Sequence, residues 1–182
     1  SNNMGELLSG VPTENGIYQR HTTSENRYQW YLSELDEELD RAERVRVLDI
    51  GASKGSAVAG VVSELEDDGY TFQVRGVEPS PRHAGKCYER ESVEDVSRAV
   101  VHDLPYQDGS FDLVVCHRLL PFLEPGDRLE GLDEMERVLT DDGTALLDLM
   151  DREEPDTRVV GREGLQEFHG EVESVMSDFD TG

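Results

Sequence analysis

Two carboxylates, Asp49 and Glu78, each close a short run of β-favouring residues, VRVLDI (45–50) and FQVRGVE (72–78). Asp49 leads into Gly51, Ser53 and Gly55, and beyond Gly55 the apolar residues Val58, Val61, Val62 and Leu65 recur at helical spacing. A strand, a tight turn and a helix in that order place close-approaching glycine backbone and a helix N-terminus at the carboxyl end of a parallel strand. Doubly wound folds bind nucleotide-like ligands there. The same residues would also serve an ordinary strand-to-helix turn. A third apolar run, FDLVVC (111–116), ends in Cys116, His117 and Arg118. His117 is the candidate general base, since an imidazole titrates near working pH; its plainer reading is a satisfied polar residue at a strand end. A nicotinamide fingerprint is not supported, because Ser53 and Ser56 stand where its second and third glycines belong. Lys54 lacks the glycine spacing of a phosphate loop, the histidines are scattered, and Cys87 and Cys116 show no paired-cysteine spacing, so no metal site is expected.

The elements that must position these residues alternate. Residues 1–23 read as an irregular arm carrying Tyr18 and His21, and Thr22 with Glu25 makes a capping box for a helix through about residue 43. After the first strand and helix come the strand 72–78, a helix from Ser80 and Pro81 to Glu91, a short strand 97–101 and the strand 111–116. A helix over 125–139 turns Leu132, Met135 and Leu139 inward; Asp142 and Gly143 break it ahead of a strand over 144–150. Buried strands alternating with helices over short connections predict one α/β domain, a doubly wound, Rossmann-like, mostly parallel sheet with helices on both faces. The core would span 45–150, and 151–182 would form a short C-terminal edge.

The 182 residues carry 41 acidic and 17 basic side chains, a net charge of −24, and only Lys54 and Lys86 are lysines. Abundant carboxylate with almost no lysine, spread along the chain, resembles the surface of a halophile's cytosolic protein, whose self-repulsion is screened by salt. It disfavours nucleic acid and anionic membrane as partners. No apolar run approaches the roughly 18 residues of a membrane span, and no signal sequence is seen, so a cytoplasmic protein is expected. Ser1–Asn3, ahead of Met4, read as a cloning remnant.

Taken in order, VLDIGASKG, Glu78, DLPYQDGSFDLVVCHRLLPFL and ERVLTDDGTALL resemble the successive motifs of class I S-adenosylmethionine-dependent methyltransferases, of the small type 11 branch. The resemblance covers about 45–150. It implies S-adenosylmethionine as cofactor, with Gly51, Ser53 and Gly55 in the turn facing its methionine end and Asp49 fixing the turn and partnering the ammonium. By the same resemblance Glu78 accepts the ribose hydroxyls, Asp103 and the Leu104 amide meet the adenine, and Cys116 contributes backbone contacts. Ser53 departs from the glycine usual at its position. The residues after Cys116 spell neither an Asn/Asp-Pro-Pro-Tyr nor a Pro-Cys signature, so a small-molecule acceptor is expected over nucleobases or glutamine. The alternative is a catalytically silent S-adenosylmethionine-binding partner.

Beyond the fifth strand the family adds a helix and two antiparallel strands. Here 162–168 reads as one short helix and 171–179, with Val172, Val175 or Met176, and Phe179, as one strand. The edge is then truncated, covered by the second subunit of a homodimer, or open. The acidic surface makes one expectation directly measurable: melting temperature should rise steadily as salt increases from near zero to molar, and a flat profile by circular dichroism would remove the high-salt reading.

Overall fold

A computed structural model of the chain describes residues 44–51, 71–79, 95–116, 119–150 and 155–181. The expected arm and N-terminal helix (1–43), the helix after the first strand and that after the second lie outside these residues.

Six strands form one sheet: β1 (Arg44–Ile50), β2 (Thr71–Val77), β3 (Asp95–Ser97), β4 (Phe111–Cys116), β5 (Leu139–Met150) and β6 (Pro155–Gly161). Their order is β3-β2-β1-β4-β5-β6. Every pairing from β3 to β5 is parallel, and β6 adds to β5 antiparallel. This is the doubly wound, mostly parallel sheet that the sequence predicts. Strands buried on both faces must be apolar almost throughout. On one face Leu48, Ile50, Val77, Val114, Cys116, Ala145 and Leu147 are buried, and on the other Val45, Val47, Val74, Leu113, Val115 and Leu146.

Two helices cover the first face. Helix α1 (Pro125–Val138) turns in Leu132, Met135 and Val138; α2 (Leu165–Thr181) turns in Leu165, Phe168, Val172 and Met176. Leu139, expected at the end of α1, is instead the first residue of β5. Between Leu139 and Thr144 the register against β4 shifts. Gly143 permits that irregularity, since a Cβ there would lie 2.9 Å from Leu139 Cδ2 and 3.0 Å from the Thr140 carbonyl.

Two further expectations are corrected. The third strand is Asp95–Ser97 and not 97–101: Val101 turns onto α1, where its methyl carbons lie 3.1–3.2 Å from a Cβ built on Gly131. The apolar pair Val100–Val101 mimics a strand but packs against a helix. At the C-terminus, 171–179 is helix, and the antiparallel strand lies earlier, at 155–161. The steps of three and four from Leu165 through Phe168 and Val172 to Met176 are helical, and they outweigh the local alternation.

Strand β6 escaped notice because its centre is charged. Arg158 is buried under α2, ion-paired with Glu171 and 6.0 Å from the Phe168 ring centroid. Such a pair contributes little net stability, yet removing one partner strands the other's charge. Glu171→Gln should therefore destabilise by about 1–3 kcal/mol, below the fully buried range because Glu171 is a third exposed. Arg158→Met, which removes the charge itself, should cost less. Urea melts of both variants check the order, and a larger loss in Arg158→Met would refute it.

Candidate functional site

In a sheet of this order the winding reverses between β1 and β4, and the crevice outside their carboxyl ends is where such folds hold ligands. A groove of about 280 Å³ lined by Arg46, Gln73, Arg75, Tyr106 and Phe111 opens at the other end of the strands. It sits away from the reversal.

At the carboxyl ends the backbone is tightly specified. Gly51 ends β1 with φ +67°, a left-handed conformation that side chains rarely adopt, and its N–H donates to the Val77 carbonyl at 3.0 Å. A Cβ there would also lie 3.3 Å from Leu119 Cδ2. The Glu78 N–H in turn donates to the Ser97 carbonyl at 2.9 Å. These bonds tie the ends of β1, β2 and β3 into one rim.

The side chains follow from strand parity. Asp49 is in register with Gly76 on one side and Val115 on the other. Glu78 lies two residues beyond Gly76 and so faces the same side as Asp49. Gly76 offers no side chain to shield or satisfy Asp49. Asp49 is 1% exposed and Glu78 7%. Asp49 Oδ2 is buried without a hydrogen-bond partner. Burial first, then the neighbouring Glu78 charge, push the Asp49 carboxyl up to about 8.

Cys116, level with Ile50 and Val77, points its thiol into the core of the opposite face. Only its backbone can reach the rim. Asp103 and Leu104 stand apart from it. Along α1, His102 lies 4.0 Å from Asp127 in the first turn, while the Leu104 N–H donates to Glu134 Oε1 at 3.0 Å, two turns farther on. That amide, expected to meet an adenine ring, is already committed, and the Asp103 side chain is exposed. Arg137 holds the same turn through the carbonyls of Leu104 and Tyr106, and its hydrogen bond to Glu134 keeps that carboxyl below the usual range. The backbone beside Glu78 belongs instead to Ser97, Arg98 and Ala99, which sequence reasoning placed inside a strand. Ser53, Gly55 and the candidate base His117 lie outside the described residues.

A family model described as a methyltransferase domain matches residues 48–147, more than half of the chain. The chain belongs to that family. The glycine/sarcosine/dimethylglycine N-methyltransferase of Actinopolyspora halophila is 30% identical over 109 residues, 59% of this chain and 19% of that protein. An uncharacterized methyltransferase of Staphylococcus carnosus is 28% identical over 151 residues, 82% of this chain and 69% of that one. Among solved structures, a SAM-dependent methyltransferase of Thermotoga maritima superposes with a TM-score of 0.50 at 26% identity, over 71% of this chain and 54% of that one. The chain thus spans about half the length of this solved structure, and far less of the Actinopolyspora enzyme.

S-adenosylmethionine is the methyl donor of the family, and the residues present fit it. A buried carboxylate oxygen without a partner suits an ammonium; a second carboxylate on the same side suits a diol; and the left-handed glycine lets backbone approach closely. Without a ligand, an Asp49 pKa raised above its unfolded value stabilises the fold below about pH 4, and that contribution is lost as pH rises through about 8. Asp49→Asn removes the titration. The melting-temperature difference, variant minus parent, should therefore climb from near zero at pH 4 to a plateau above pH 8 in the unliganded protein, and a pH-independent difference would contradict the burial argument.

Proposed function

We propose that this methyltransferase domain transfers a methyl group from S-adenosylmethionine to a small-molecule acceptor. The reading is carried by the partnerless buried oxygen of Asp49, set beside Glu78 and the left-handed Gly51 at the sheet's reversal. Asp49 holds the donor's ammonium and fixes the turn, Glu78 accepts the ribose hydroxyls, and the Cys116 backbone borders the methionine end. When bound, the donor supplies a sulfonium-activated methyl group, so the chain's own contribution is chiefly alignment and exclusion of water. Ser53 and Gly55 are assigned to the same turn and His117 to proton removal from the acceptor. The Actinopolyspora relative's name supports an amine of amino-acid size as acceptor. The lysine-poor acidic surface supports a cytoplasm of high salt as the working medium.

The direct test is transfer of isotopically labelled methyl from S-adenosylmethionine to glycine, sarcosine and dimethylglycine in molar salt. Labelled product is expected; donor binding without turnover across this panel and a wider set of metabolites would favour the silent binding partner. Glu78→Ala should weaken donor binding by about 2 kcal/mol, roughly 30-fold, because two charge-assisted hydrogen bonds are lost. Calorimetric titration giving an unchanged Kd in the folded variant would remove Glu78 from the site.

A further inference from the structure

Arg128, in the first turns of α1, is 4% exposed. Burying a guanidinium is costly, and a cation near a helix N-terminus also opposes the helix dipole. A Leu or Met of similar reach would fill the space without either cost. What the guanidinium can do, and an apolar side chain cannot, is grip backbone oxygens. Its Nε donates to the Leu120 carbonyl at 2.7 Å and its Nη2 to the Pro121 carbonyl at 3.4 Å.

Those carbonyls belong to the 3-10 turn Leu120–Phe122, which follows β4 on the far side of the crevice from Gly51. The turn is closed by bonds from the Phe122 N–H to the Leu119 carbonyl and from the Leu123 N–H to the Leu120 carbonyl. Leu120 and Pro121 are buried within it. Immediately before it, Leu119 reaches across the reversal and lies against Gly51. The contacts therefore run without a break from a buried charge, through two carbonyls and one side chain, to the turn that ends β1.

We propose that Arg128 is a positioning residue of the donor site: by clamping the Leu120 and Pro121 carbonyls it holds Leu119 against Gly51 and fixes the spacing between the end of β1 and the Leu120–Phe122 turn. The inference rests on the donor-site reading above. Fixing that spacing before the ligand arrives lowers the ordering cost of binding, so the clamp acts on donor affinity more than on fold stability.

The test uses Arg128→Lys, which keeps the charge and most of the stem but cannot span two carbonyls, and Arg128→Met, which keeps the bulk and removes every donor. S-adenosylmethionine titrations well below the melting temperature should show Kd raised at least tenfold in both. Hydrogen exchange of the unliganded variants should show the Phe122 and Leu123 amides exchanging at least tenfold faster while those of β1 and β4 keep the parent rates. A merely structural arginine would lower the melting temperature and leave Kd and this local pattern unmoved. Should either variant fail to fold, Leu119→Ala removes the contact on Gly51 with Arg128 in place, and Kd must rise there too. Parent-like affinity in a folded Arg128→Met or Leu119→Ala overturns the inference alone. A parent protein that binds no donor overturns the proposed function and this inference together.

Discussion

The arrangement turns on a carboxylate that the fold buries without satisfying. Asp49 sits in the central strand, between β2 and β4, where it is 1% exposed. Its neighbour in β2 is Gly76, which brings no donor, and the next carboxylate on that side, Glu78, makes ionisation harder still. An oxygen in that state costs free energy of order a few kcal/mol whenever it is charged, and the protonated form is the cheaper one for the unliganded chain. A cationic ligand reverses the balance. On the proposed reading this position is open to an ion pair, and binding below about pH 8 would be coupled to loss of the Asp49 proton.

Keeping that position open requires backbone that does not collapse onto it. Gly51 in the left-handed region turns the chain sharply out of β1, and its N–H on the Val77 carbonyl ties the turn to β2. Across the crevice Leu119 leans on the same glycine. Behind this rim the opposite face of the sheet is packed by α1 and α2, and the β5–β6 hairpin widens that face under Phe168 and Val172. Hydrophobic burial there carries the stability, which allows the rim to hold an unfavourable carboxylate.

Most of the architecture is legible in the sequence because buried parallel strands announce themselves as apolar runs with chain-end carboxylates and glycines. VRVLDIG and FQVRGVE are of this kind, FDLVVC is the apolar run alone, and their order suffices to place Asp49, Gly51 and Glu78 on one rim. What is not legible depends on tertiary partners. Arg158 hides β6, because a buried arginine reads as solvent exposure until Glu171 and Phe168 are placed over it. Val100 and Val101 read as strand because nothing in their composition says that Gly131 leaves room for a valine on α1. The family resemblance points the Leu104 amide at an adenine, whereas that amide belongs to Glu134, thirty residues away. Arg128 went unread altogether, since an arginine in the first turns of a charged helix looks like surface.

The acidic surface and the buried acid pair act at different ranges. A net charge of −24 draws a net cationic ligand from a distance at low ionic strength, but at molar salt the screening length shrinks to about 3 Å and steering disappears. Attraction between Asp49 and an ammonium in direct contact, with water excluded, is screened far less. If the proposed high-salt medium holds, surface carboxylates add little affinity and recognition would rest on the few that are buried. Asp49 and Glu78 are the two buried carboxylates among the residues whose side chains are described, both at the carboxyl ends of adjoining strands. On that reading surface charge would serve solubility, and the buried pair the ligand.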